Sequence, residues 1–160
     1  VRVSADDLVS CCGSDVCGSC EGGFSGRSWD YWVEHGIVSG GDYGSNEGCR
    51  PYEIPPCEHH VNGTRPSCEG IDSETPKCVR KCQNKKYDVP YKQDLSLGEK
   101  AYRVSSNENA IMKEIYTHGP VEAGFTAYED LLHYKSGVYS HVAGAPLSGH
   151  AVRVLGWGVD

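Results

Sequence analysis

Ser148-Gly149-His150-Ala151-Val152-Arg153-Val154-Leu155-Gly156-Trp157-Gly158 is the stretch whose reading decides the fold. A histidine between two small residues leads into a run of aliphatic and β-branched side chains. That pattern predicts a strand starting at His150. Gly149 lets another backbone come close, and Ala151 keeps the neighbourhood small. A lone histidine at a strand start is most often structural, so His150 becomes an acid/base candidate only through its context.

Working outward from that strand, Gly137-Val138-Tyr139 predicts a short strand, and Val121, Ala123, Phe125 and Ala127 alternate as another. Before them a helix starts near Ser105 or Asn107. Ser105 with Glu108 makes a capping box, Ile111, Met112 and Ile115 form the apolar face, and Gly119-Pro120 ends it. From Gly36 to about Asp94 periodicity is poor, and Pro51, Pro55, Pro56, Pro66 and Pro76 forbid regular helix. A loop this long is functional or disordered, and its cysteines favour a functional, stapled segment. Trp29, Trp32 and Val33 mark a helix from about Ser25 to His35, with Gly36 as its C-terminal cap. Ser4-Ala5-Asp6-Asp7 opens a first helix with Leu8, Cys11 and Cys12 on one face. Helices first, then a helix followed by strands, is an α+β order with two subdomains.

Composition narrows the function classes. A formal charge of −7 over 160 residues argues against nucleic-acid binding by phosphate neutralisation. No apolar run approaches the roughly 20 residues of a membrane helix. Nine cysteines end at Cys82, which predicts a stapled first half and a conventionally packed second half. Their odd number leaves at least one without a partner in this chain. Asn62-Gly63-Thr64 is a glycosylation sequon, a weak signal on its own.

Two readings compete for the cysteine-rich half. Cys17-x-x-Cys20 with Cys78-x-x-x-Cys82, His59 and His60 could hold zinc, but the spacings match no standard finger. A redox use of Cys17 and Cys20 needs a βαβ setting that the pattern lacks. His59-His60 is blandly a pair of surface histidines on a Pro-rich loop.

Three stretches together carry a resemblance: the His150 strand, Cys20-Glu21-Gly22-Gly23, and the run from Pro55 to Thr64. They resemble the papain-like cysteine peptidases of the cathepsin B type, with a match from Cys49 to Arg65 almost without a break. The resemblance implies an α+β, papain-like two-domain fold, here incomplete. Residues 1–85 would be the second part of a helical left domain, including an occluding loop at about 54–74. Residues 86–160 would be most of a β-barrel-like right domain. It implies that His150 pairs with a cysteine thiolate and protonates the leaving amine. Gly22 and Gly23 would pair with extended substrate, and Phe24, Ser25, Gly124, Gly149 and Ala151 would border the pocket for the second residue before the cut.

Further roles follow from the same resemblance. His59 and His60 on the occluding loop would bind a peptide C-terminal carboxylate and favour release of C-terminal dipeptides. Arg65 would help pin that loop. The implied disulfides are Cys11–Cys78, Cys12–Cys17, Cys49–Cys82 and Cys57–Cys68, with Cys20 paired to a cysteine upstream of Val1. Asn62 would be the glycosylation site. The implied partners are peptide and protein substrates, cystatin-type inhibitors and the enzyme's own propeptide, in the lysosome or secreted. No cofactor, metal, nucleic acid or membrane is implied.

The departures are specific. The family's nucleophilic Cys followed by Trp is absent, and so is the Asn-Ser-Trp segment after the histidine strand. Cys17-Gly18-Ser19-Cys20 imitates the nucleophile motif, but Glu21 stands where Trp or Tyr is needed. The chain therefore reads as the middle of an enzyme, inactive by itself and not stably folded alone. The alternatives are a non-catalytic papain-like homologue and a disulfide-rich binding module complete as written.

Overall fold

A computed structural model describes residues 2–58, 63–71 and 74–159. The chain divides into two compact units, Val1–Ala101 and Tyr102–Asp160. The short helix at 91–94 lies in the first unit, where the Tyr91 hydroxyl donates to Asp7 Oδ1 at 2.9 Å and Asp94 Oδ2 accepts the Ser39 amide at 2.7 Å.

In the first unit, α1 spans Ala5–Cys11 and α2 spans Ser25–His35. Ser4 caps α1 by accepting the Asp7 amide at 3.0 Å. Gly36 closes α2 at φ 77°, donating to Trp32 O at 3.1 Å. The Trp32 indole donates to Ser96 O at 2.8 Å and ties α2 to the end of the unit. Between the helices lies a small hairpin, β1 (Gly18–Ser19) against β2 (Gly22–Gly23). A four-residue helix, α3, covers Tyr91–Asp94.

Two buried clusters form the core of this unit. One holds Cys12, Cys17, Tyr31 and Ile37; the other holds Val38, Cys49 and Tyr91. Four disulfides join Cys11–Cys78, Cys12–Cys17, Cys49–Cys82 and Cys57–Cys68, the same pairs that the resemblance implies. The described residues between Gly36 and Pro90 are thus held in place without a helix. Their backbone is pinned by the bonds of Cys49 and Arg50 to Ser39 O and of Gln83 and Asn84 to Cys49 O.

The apolar face expected on α1 is only part of what that helix hides. Asp6 and Asp7 are fully buried, as is Arg50. Arg50 meets Asp6 at 2.5 Å and Asp7 at 3.2 Å, and it also donates to Val79 O at 3.1 Å. Burying three charges is tolerable because they pair with one another and with backbone groups. Burial, and then the bond to Asp7, pushes the Tyr91 phenol far above its usual range.

In the second unit, α4 (Glu108–His118) is followed by β3 (Val121–Tyr128), a 3-10 turn (Glu129–His133) and β4 (Pro146–Val154). Asn107 caps α4 by accepting the Ala110 amide at 2.9 Å, in place of the expected Ser105–Glu108 box. β4 starts at Pro146, four residues before His150. The expected strand at 137–139 is absent: this stretch belongs to a bent connection, and the Tyr139 hydroxyl is held by Asp130. β3 and β4 form a two-stranded antiparallel sheet. Among the described residues there is no closed barrel, since closure needs more tilted strands than one ribbon supplies. The unit has one buried apolar residue among those described, Ile115.

Candidate active site

β4 places His150 opposite Phe125 on β3, with ring centroids 5.6 Å apart in an edge-to-face contact. Gly124 stands opposite Ala151, and Thr126 opposite Gly149. Strand alternation therefore puts Gly124, Gly149 and Ala151 on one face of the ribbon, and His150 with Phe125 on the other. A side chain added at Gly149 would meet nothing within 4 Å. All of Gly124, Gly149, His150 and Ala151 are exposed, so the imidazole is free to meet a partner group and its flanks can admit a backbone.

The glycine pair in the first unit separates into two requirements. A Cβ on Gly23 would lie 2.3 Å from Cys17 O, so Gly23 is glycine for the packing of the hairpin itself. Gly22 has φ +123° and open space where a Cβ would be. Its exposed backbone is the half of the pair available to an extended ligand. Phe24 and Ser25 follow directly, both exposed, at the start of α2. The Phe24 amide donates to Cys17 O at 2.7 Å, which fixes the angle at which β2 enters that helix.

Cys20 is exposed and, among the described residues, is the cysteine outside a disulfide. It sits in the turn of the β1–β2 hairpin, with its amide donating to Thr75 Oγ1 at 3.2 Å. A nucleophilic thiolate is favoured at a helix N-terminus or beside a cation. α2 begins only at Ser25, so this cysteine lacks the helix-start position.

The loop at 54–74 is closed by Cys57–Cys68. Inside the bridge, the Glu58 amide donates to Pro66 O at 2.7 Å and the Cys68 amide to Glu58 O at 2.9 Å. The Arg65 amide donates to Glu58 Oε1 at 3.3 Å, while its side chain is exposed. His59, His60 and Asn62, singled out in the sequence, lie outside the described residues. No group of three or more metal-binding side chains is present among the described residues.

One cluster was not anticipated from the sequence. Asp130 accepts the Tyr139 hydroxyl at 2.6 Å and the amides of Val142 at 2.8 Å and Ala143 at 3.1 Å. His141 Nδ1 lies 3.2 Å from both carboxylate oxygens. The Tyr139 bond first, then the Val142 amide, hold the Asp130 carboxyl far below the ordinary range. The same bond pushes Tyr139 up to about 12. An acidic pair after a strand, Glu129-Asp130, reads in sequence as a solvated turn; its partners lie nine to thirteen positions on.

The chain resembles known proteins along its whole length. The profile described as "Papain family cysteine protease" matches residues 1–160. A "Cathepsin B-like cysteine proteinase" of Schistosoma japonicum is 50% identical over 159 residues, covering 99% of this chain and 46% of that protein. "Cathepsin B-like cysteine proteinase 5" of Caenorhabditis elegans is 50% identical over 162 residues, covering 99% of this chain and 47% of that protein. The chain thus spans about half the length of the curated relatives it matches. Among solved structures, "proCathepsin B S9 from Trypanosoma congolense" superposes with a TM-score of 0.71 at 38% identity, covering 99% of this chain and 46% of that one. The fold is papain-like. With the family profile matched from end to end, the chain belongs to the papain family of cysteine proteases.

Proposed function

We propose that this chain is part of a cysteine peptidase of the cathepsin B type, in which His150 is the general acid/base. The observation that carries this is an exposed imidazole at the centre of β4, flanked by Gly149 and Ala151 and opposite Phe125. The nucleophile in this reading is a cysteine outside these 160 residues. Its thiolate, paired with the His150 imidazolium, attacks the peptide carbonyl. The imidazolium gives its proton to the leaving amine, and the resulting acyl-enzyme is hydrolysed by water that His150 deprotonates. Gly22 would align the substrate backbone, with Gly23 holding the hairpin in shape. Phe24 and Ser25 in the first unit, and Gly124, Gly149 and Ala151 in the second, would each recognise the second residue before the cut. The 160 residues alone would be inactive.

The finer specificity rests on His59-His60 and the Cys57–Cys68 loop. Protonated imidazoles there would hold a C-terminal carboxylate, so the enzyme would release dipeptides as well as cut internally. Histidine titrates near pH ~6.5, which places this activity at mildly acidic pH. Arg65 would help fix the loop, and Asn62 would carry a glycan. A lysosomal or secreted location, a propeptide and cystatin-type inhibitors belong to the same reading. No helix among the described residues is long and apolar enough to cross a membrane.

The test is substitution in the full-length protein. His150→Ala is expected to lower kcat/KM by at least about 100-fold, the usual weight of a positioned acid/base group. Unchanged peptidase activity would sink the assignment. Replacing both His59 and His60 by alanine should abolish dipeptide release while sparing cleavage of internal bonds. Dipeptide release that persists at wild-type rate, and with a wild-type acidic optimum, would refute the loop's role.

A further inference from the structure

The loop at 54–74 leaves the first unit and returns to it, and both of its ends meet one buried side chain. Arg50 stands on the entry side. On the exit side its Nη1 donates to Val79 O at 3.1 Å, one residue after Cys78. The same guanidinium reaches α1, with Nη2 on Asp6 Oδ2 at 2.5 Å and Nη1 on Asp7 Oδ1 at 3.2 Å. Asp6 uses its other oxygen to accept the amide of Glu53, the last residue before the loop, at 3.2 Å. The Glu53 carboxylate in turn accepts the Gln83 side-chain amide.

α1 carries two further ties. Cys11 is bonded to Cys78 at the loop's exit, and Cys12 to Cys17, whose carbonyl accepts the Phe24 amide just after the Gly22–Gly23 strand. In the hairpin turn, the Cys20 amide donates to Thr75 Oγ1 at 3.2 Å. One helix therefore holds the loop's stems and the hairpin together. Stability alone is a weak reason for three buried charges, because apolar side chains of similar volume commonly serve as well. What apolar side chains lack is direction. A guanidinium is a planar fork of five donors, and a carboxylate has two acceptor oxygens. Asp6, Asp7 and Arg50 are each 0% exposed, so a shift of the stem breaks bonds that water cannot reach to replace.

We propose that Asp6 and Arg50 are positioning residues for specificity. By tying both ends of the 54–74 loop to the helix that also holds the Gly22–Gly23 hairpin, they set where the Cys57–Cys68 loop stands relative to that hairpin, and so the balance between dipeptide release and internal cleavage. The proposal rests on the reading of that loop as the element that favours release of C-terminal dipeptides. Dipeptide release fixes the distance from the scissile bond to the peptide's C-terminal carboxylate, whereas internal cleavage has no such requirement. An ångström-scale misplacement of the loop therefore falls on one activity and spares the other.

The experiment uses the full-length protein with Asp6→Asn, Arg50→Lys and the double variant His59→Ala/His60→Ala. Asp6→Asn puts an amide donor where one oxygen now accepts, facing either the Glu53 amide or the guanidinium. Arg50→Lys keeps the charge but gathers it at one nitrogen, which cannot reproduce the fork. Two substrates are compared, a peptide with a free C-terminal carboxylate and an amidated peptide cut internally. The ratio of their kcat/KM values cancels any loss of folded enzyme. Asp6→Asn and Arg50→Lys should each lower that ratio about tenfold, with internal cleavage changed less than about threefold. If Arg50→Lys fails to fold, Asp6→Asn decides, because it leaves Arg50 paired one to one with Asp7. A wild-type ratio in a folded variant, with dipeptide release lost in the double variant, overturns the positioning role alone and leaves the network to stability. Dipeptide release at wild-type rate in the double variant overturns the loop reading and the proposal with it.

Discussion

The two units of this chain are built on opposite terms. In the first, the most deeply buried side chains include Arg50, Asp6 and Asp7, and four disulfides run through and around the core. In the second there is no cysteine, Ile115 is the one buried apolar side chain among those described, and the histidine strand lies open to solvent. The first unit is fixed by covalent bonds and by charges that have nowhere else to go. In the second, a backbone ladder joins β3 to β4, and the carboxylates of Glu129 and Asp130 gather the connection between them. The residues proposed to bind substrate in the first unit stand on a hairpin anchored in the core through Cys17, whereas the proposed acid/base stands on a strand joined to its neighbour by backbone bonds.

The sharpest way to break this contrast is at Arg50. Arg50→Met strands two buried carboxylates without a cation, and the expected destabilisation is at the top of the range for such losses, about 5 kcal/mol. Native-state hydrogen exchange should show the loss across residues 2–101 and no change across 102–159. Equal loss in both units would mean that they fold as one cooperative block, and the contrast would fail. Next comes the Cys11–Cys78 bridge, with a sequence separation of 67. Replacing both cysteines by serine releases the longest of the four loops, and loop-closure entropy gives about 4 kcal/mol. Its effect too should be confined to the first unit. A stability unchanged in denaturant titration would show that the buried ions alone hold α1 in place.

The Asp130 cluster in the second unit supplies a pH test with a definite sign. Asp130 has a depressed folded-state value, so its contribution is fully present above the unfolded carboxylate range near pH ~4 and fades only as pH falls toward the strongly acidic folded value. Tyr139 is raised to about 12, so its share is present below the ordinary phenol value and fades as pH rises through that point. Amide protection at Val142 and Ala143 should thus be flat from mildly acidic to mildly alkaline pH. A transition inside that range would show that Asp130 and Tyr139 are not the groups that hold these amides.

What could be read from sequence was local. Ser4, Gly36 and the alternation from Val121 to Ala127 each act within one turn or one strand, and each signal survives into the fold. The Arg50 network could not be read, because its partners lie 43 and 44 positions away and two aspartates in a first helical turn look like ordinary surface charges on the helix dipole. Cysteine spacing left the pairing open, and only the resemblance named it. The strand expected at 137–139 failed for a related reason. A Gly-Val-Tyr triplet carries strand propensity, but Tyr139 is claimed by a carboxylate nine residues earlier. Of the candidate site, the motif around His150 was legible and the Asp130 cluster in the connection before β4 was not, since that cluster is made of loop contacts with no periodicity.

The smallest effect compares like with like: one helix cap in each unit. Ser4 accepts the Asp7 amide and donates to Arg50 O at 2.7 Å, and it is buried. Asn107 accepts the Ala110 amide and is exposed. Ser4→Ala loses the cap and leaves a buried carbonyl without its donor, for about 2 kcal/mol. Asn107→Ala loses a cap that water can partly replace, for about 0.5–1 kcal/mol. Chemical denaturation followed by a probe in each unit measures both. Equal costs would mean that Ser4 acts only as a cap and that the buried charge network does not depend on it. A cost at Asn107 exceeding that at Ser4 would reverse the comparison, because it would place the more constrained helix in the more exposed unit.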